Sequence, residues 1–127
     1  ALLRTYCPLL LTRWDRVAIR AGLGVARTGG VVEYGSGVIV FCFSTANRGI
    51  AAGDAGIETA MTMNIIALSN AYINPLFDAV VECTEEAILN CLPVAQTTVG
   101  RDGITAYGLD GARLLDVMSQ FQRHPEA

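Results

Sequence analysis

The chain has 127 residues, one domain's length, with a net charge of −3; only 17% of its residues are charged and 52% are hydrophobic. An acidic balance without a basic stripe and interleaved aromatics excludes the nucleic-acid-binding classes, and no run of 18 uninterrupted apolar residues marks a membrane span. An average domain is about 25% charged, so the shortage of charge fits either a well-packed α/β domain with an apolar sheet or, the favoured reading, a subunit that buries extra surface against a partner chain.

Residues 1–11 are apolar but carry Arg4 and lack the basic head and cleavage site of a signal peptide. A start at Ala1 without methionine predicts a processed or trimmed product. Residues 2–6 read as a short strand ended by Pro8. Thr12 is the expected cap of a helix running to about Ala26, with Trp14, Val17, Ala18, Ala21 and Val25 at helical spacing. Gly29-Gly30 should stop it. Val31-Val32 can begin a strand, the Gly35-Ser36-Gly37 turn follows, and residues 38–43 (VIVFCF) read as a strand covered on both faces.

Residues 48–58 are glycine- and alanine-rich and read as a loop, and residues 60–68 alternate loosely enough for another strand. Asn74-Pro75 opens a helix to about Leu92, with proline in its first turn. Leu76, Phe77, Val80, Val81, Ala87, Ile88, Cys91 and Leu92 form its apolar stripe, and Asp78, Glu82, Glu85 and Glu86 its wetter side. Pro93 bends or ends it. Residues 100–103 (GRDG) are a turn, Leu109-Asp110 leads into a last helix through about Phe121, and residues 122–127 are an expected frayed tail. Strands and helices in this order suggest a layered α/β sandwich.

Few chemistries fit. The sole histidine, His124, lies in the tail, which disfavours a Ser-His-Asp triad within the chain. No GxGxxG, P-loop or HExxH motif occurs. Cys7, Cys42, Cys83 and Cys91 contain no CxxC pair, so no zinc site is expected; they read as free thiols of a reducing, cytoplasmic compartment. The spacing of Glu82, Glu85 and Glu86 is that of a solvated helix face. What remains is a nucleophile without histidine, in which a chain's own α-amine serves as base for its first side chain. The α-amine suits that role because its pKa lies at about 7.7–8.0. Ser36, by its turn chemistry alone, is an ordinary turn serine.

Residues 20–30 (RAGLGVARTGG), 35–47 (GSGVIVFCFSTAN), 73–92 (INPLFDAVVECTEEAILNCL) and 100–103 (GRDG) together resemble the β-chain portion of the DmpA-type aminopeptidases, the L-aminopeptidase/D-Ala-esterase-amidase and β-peptidyl aminopeptidase family. The resemblance runs from about Leu2 to the last helix. It implies a precursor that cleaves itself into α and β chains, which stay together in an α/β/β/α sandwich like that of N-terminal nucleophile hydrolases. Residues 1–127 would then be one β-chain portion. The implied activity releases N-terminal residues from small peptides, amides or esters, without metal or organic cofactor, in a homo-oligomer of αβ units. It also implies a catalytic place for Ser36, positioning and activating a Ser or Thr nucleophile that aligns slightly before Ala1. The family's acidic residue two places after that serine corresponds here to Val38. A catalytically degenerate member with a structural role is the rival reading.

Overall fold

The computed structural model describes residues 1–48, 62 and 64–121. These fall into two compact units, residues 1–85 and 86–127, divided within a helix.

In the first unit, strand β1 (Leu2–Thr5) leads into helix α1 (Leu11–Arg27) and returns in strand β2 (Phe41–Ser44). β1 and β2 pair in parallel, with Leu2 opposite Phe41, Leu3 opposite Cys42, Arg4 opposite Phe43 and Thr5 opposite Ser44. Parallel strands need such a crossover. A one-turn 3₁₀ helix (Asn70–Tyr72) precedes helix α2 (Asn74–Val94). The core gathers Leu9, Val17 and Ala21 against Ile73, Phe77 and Val80; Ala21 is 0% exposed. Gly24 lets α1 approach the second helix, since a methyl group there would sit 2.6 Å from the Cβ of Thr84 and 2.7 Å from the Val81 carbonyl oxygen.

The two glycines after α1 act together. Gly29 takes φ +92°, and the amides of Gly29 and Gly30 bond back to the carbonyls of Ala26 (3.0 Å) and Val25 (3.1 Å). That is a Schellman end, which satisfies two otherwise orphaned carbonyls. At the other end the expected Thr12 cap is absent. The capping residue is Leu10, in extended conformation with no side-chain bond, so the helix opens two residues earlier.

Three strand expectations change. Val31-Val32 forms no strand, because Val32 lies at φ +49°, outside the β region. Of residues 38–43 only Phe41–Phe43 enter the ladder, which ends at Ser44, and within this chain only one face is covered. Cys42 and Ser44 are half-buried, whereas Phe41 is 66% and Phe43 40% exposed. Within 60–68, Thr62 and residues 64–68 form no strand. Single contacts hold them instead. The Asn47 side-chain amide clasps the Ile66 backbone at 3.0 Å through both its oxygen and its nitrogen, and the Leu68 amide bonds the Pro8 carbonyl at 2.7 Å. Residues 49–58 of the expected loop and the tail 122–127 lie outside the described residues.

The second helix runs two residues past Leu92, with Pro93 inside its last turn. Its stripe divides. Phe77 and Val80 are buried, together with Thr84 from outside the expected stripe, but Ala87, Cys91 and Leu92 are exposed. On the wetter side Asp78, Glu82 and Glu86 are exposed, while Glu85 pairs with Arg27 at 2.9 Å.

In the second unit β3 (Thr98–Val99) and β4 (Thr105–Ala106) form an antiparallel hairpin that the sequence reading lacked. The expected turn closes it, with Asp102 at φ +60° and Gly103 at φ +75°. Helix α3 (Gly111–Gln120) is capped by the Asp110 carboxylate, which accepts from the Ala112 amide at 2.9 Å.

Candidate functional site

Because β1 and β2 are parallel, their N-terminal ends lie at one edge, and the turn that carries Ser36 feeds into that edge. The Ala1 backbone nitrogen donates to the Ile39 carbonyl at 2.6 Å, and the Phe41 amide donates to the Ala1 carbonyl at 2.9 Å. Ser36 is three residues from Ile39, so the chain places it within about 10 Å of this junction.

The turn spans Glu33–Ser36 and is closed by the Ser36 amide on the Glu33 carbonyl at 2.9 Å. Gly35 sits at φ +85°, the left-handed value that a turn of this kind demands at its third position. Val32, just before it, carries a positive φ that a β-branched residue rarely adopts. Ser36 is exposed, and among the described residues its hydroxyl makes no hydrogen bond. Gly37 is under no such constraint: its φ lies outside the left-handed range, and a methyl group built on it would meet nothing within 4 Å.

Val38 and Val40 face α1 across an apolar cavity of ≈ 310 Å³, which Ala18, Ile19 and Gly22 complete. No side chain lining it can carry a charge. Farther along β2, burial pushes the Cys42 thiol up from its ordinary value, and the other three cysteines are likewise free. At the far end of the strands Ser44 donates to the Cys7 carbonyl at 2.8 Å and accepts from the Ala46 amide at 3.0 Å. Those polar groups are occupied in holding loops.

The arrangement therefore offers an exposed hydroxyl beside the open end of a two-strand ladder, with an apolar wall next to it. Sequence reasoning singled out Ser36 but missed the pairing of Ala1 with Ile39, a contact between residues 38 positions apart that no local pattern signals. Among the described residues no group of three His, Cys, Asp or Glu side chains is placed to hold a metal ion, and no helix is long and apolar enough to cross a membrane.

Residues 1–106 match the family model described as peptidase family S58. The chain is 34% identical over 119 residues to the beta-peptidyl aminopeptidase of Sphingosinicella microcystinivorans, an alignment covering 94% of this chain and 29% of that protein. Among solved structures, it is similar to a Burkholderia sp. beta-aminopeptidase (37% identity, TM-score 0.83, 96% of this chain and 34% of that one). It is also similar to the L-aminopeptidase D-Ala-esterase/amidase of Ochrobactrum anthropi (27% identity, TM-score 0.78, 96% and 34%), described as a variant of the Ntn hydrolase fold. The chain thus spans about a third of the length of these relatives and matches a mixed α/β part of that fold.

Proposed function

The chain belongs to peptidase family S58, and from that membership we propose that it is the β-chain portion of a self-processed hydrolase that releases N-terminal residues from small peptides, amides or esters. The single observation that carries the reading is the family match over residues 1–106, which includes the whole Ser36 turn and both strands beside it. In the proposed enzyme an α portion from the same precursor completes a layered α/β/β/α sandwich, and αβ units associate further in a cytoplasmic homo-oligomer. Support for a completing portion comes from the chain's share of its relatives' length and from the apolar face that β1 and β2 leave bare, with Leu2 71% exposed beside Phe41.

The chemistry is acyl transfer through a covalent intermediate. A Ser or Thr hydroxyl at the head of the β chain loses its proton to its own α-amine and its oxygen bonds to the substrate carbonyl carbon. The C–N or C–O bond of the substrate then breaks, and the leaving amine or alcohol departs with that proton. Water next attacks the ester, frees the acid and restores the hydroxyl. Ser36 acts on this centre by hydrogen bonding, orienting the amine or relaying its proton. No metal or organic cofactor takes part.

In the whole protein Ser36→Ala should lower kcat by roughly 10²-fold or more, the range of a lost acid–base partner, with an unchanged circular dichroism spectrum. An unaltered rate removes Ser36 from the mechanism. Val38 favours one alternative, a degenerate member with a structural or regulatory role, because valine can neither carry charge nor move a proton. Absence of any amidase or esterase turnover by the purified whole protein would select that alternative.

A further inference from the structure

The helices α1 and α2 carry unmatched charges on the side away from the strands. Arg16 and Arg20 lie over the Phe77 ring, Gly24 meets Val81 and Thr84, and Arg27 pairs with Glu85. The contacts advance together, so the two helices run side by side in the same direction. Phe77 faces α1, and successive helical residues turn by about 100°. Asp78 and Glu82 therefore come round to the exposed side of α2, opposite the buried Val80. On α1, Arg16, Arg20, Leu23 and Arg27 share one stripe by helical spacing, while Ala18, Ile19 and Gly22 face Val38 and Val40.

The two middle arginines are held, not roaming. The guanidinium carbon of Arg20 is 3.9 Å and that of Arg16 5.1 Å from the Phe77 ring centroid, and Arg20 also donates to the Arg16 carbonyl at 2.8 Å. Stacking two like charges on one ring leaves guanidinium N–H edges open for a carboxylate. Among the described residues neither arginine meets one, whereas Arg27 has Glu85 and Arg13 donates to the Leu68 carbonyl. Asp78 and Glu82 are exposed and also form no ion pair among the described residues. Leu23, 53% exposed, adds an apolar group to the stripe. All nine Lys-or-Arg positions of the chain are arginine, the cation enriched at interfaces where lysine is depleted.

We propose that this helical face is an interface between two copies of the αβ unit, related by a two-fold axis running along the helices between α1 and α2. The proposal specifies the homo-oligomer of the hydrolase reading and rests on that reading for the αβ unit alone, not for catalysis. Such an axis lays α1 of one copy over α2 of the other at the same level. Arg16 and Arg20 then meet Asp78 of the second copy, Leu23 lies against the stem of its Glu82, and the contact is made twice. An axis across the helices would set arginine on arginine. The face holds both halves of the match, as a second copy requires. Charge complementarity of this kind fixes register and partner choice.

The test uses the whole protein and three sets of changes: Arg16→Glu with Arg20→Glu, Asp78→Arg with Glu82→Arg, and all four together. Light scattering after gel filtration at low salt should show each double variant at half the wild-type mass. The fourfold variant should regain the wild-type mass, because the charges are exchanged and not lost. Mixing the two double variants should give a mixed species by native mass spectrometry, since one then bears only acids and the other only bases on this face. Asp78 and Glu82 are exposed, so their variant keeps the test valid if the Arg20 change disturbs the fold. Wild-type mass in the Asp78/Glu82 variant, or no mixed species, overturns the proposal. Loss of the α portion from the arginine variant on a denaturing gel, with no halved mass in the other, assigns the face to that portion and overturns it too. So does phosphate that raises the wild-type melting temperature while every variant keeps the wild-type mass, which marks an anion site. Amide turnover on the same samples separates the readings. Halved mass in a protein without turnover removes the hydrolase reading and keeps the interface; turnover with unchanged masses does the reverse.

Discussion

Gly22 and Gly24 are two residues apart on α1, yet their surroundings predict opposite consequences for one substitution. Gly24→Ala drives a methyl group into the Val81 carbonyl, a backbone atom that cannot rotate away. Overpacking of this kind costs about 1–3 kcal/mol. Gly22 has nothing within 4 Å of where its Cβ would lie, so Gly22→Ala should be neutral or stabilising by up to about 1 kcal/mol through helix propensity. Urea unfolding of the two variants of the whole protein measures both signs; equal effects would mean that the helices do not meet at Gly24. Cys42 gives a pH test at the same scale. Burial raises its pKa above the ordinary 9.0, so the folded state holds the thiol proton to higher pH than the unfolded state does. Its contribution is fully present below the unfolded pKa and is lost as pH rises through the folded value. Stability should therefore fall as alkaline pH is approached, and Cys42→Ser should flatten that part of the profile.

Elements were legible where a local signal was complete. Gly29-Gly30 announced the end of α1, and both amides make the bonds of that motif. Asp110 announced the start of α3 and caps it. Pro75 sits in the first turn of α2 as its spacing predicts. The misses have several causes. Val31-Val32 has the composition of a strand, but Val32 takes a positive φ that no strand residue has. Residues 64–68 alternate like a strand, but the chain supplies them with a side-chain clasp from Asn47 instead of a neighbouring ladder. β3 and β4 are two residues each, too short for any periodicity to register. The Ser36 turn was visible from its glycines, whereas its closeness to Ala1 follows only from a strand register that no composition encodes.

At the scale of the whole molecule, the unusual hydrophobicity of the sequence acquires a location. The β1/β2 pair alternates cleanly: Leu3, Thr5, Cys42 and Ser44 are half-buried, and Leu2, Arg4, Phe41 and Phe43 are exposed. Purely parallel sheets have both faces covered in folded proteins, and a two-stranded pair is too small to be stable on its own. The bare face is thus the surface that the remainder of the proposed sandwich should cover. This yields a prediction whose sign depends on context. Phe41→Asp removes apolar surface from the isolated 127-residue chain, so it should raise that chain's soluble fraction. In the whole protein the same change buries an unpaired carboxylate in the sheet interface, a strongly destabilising substitution. There it should abolish co-purification of the two portions and lower the melting temperature. Size-exclusion chromatography of both forms reads the outcome. Improved solubility in the fragment together with intact assembly of the whole protein would show that the face is never covered. The shortage of charged residues would then need another interface to explain it.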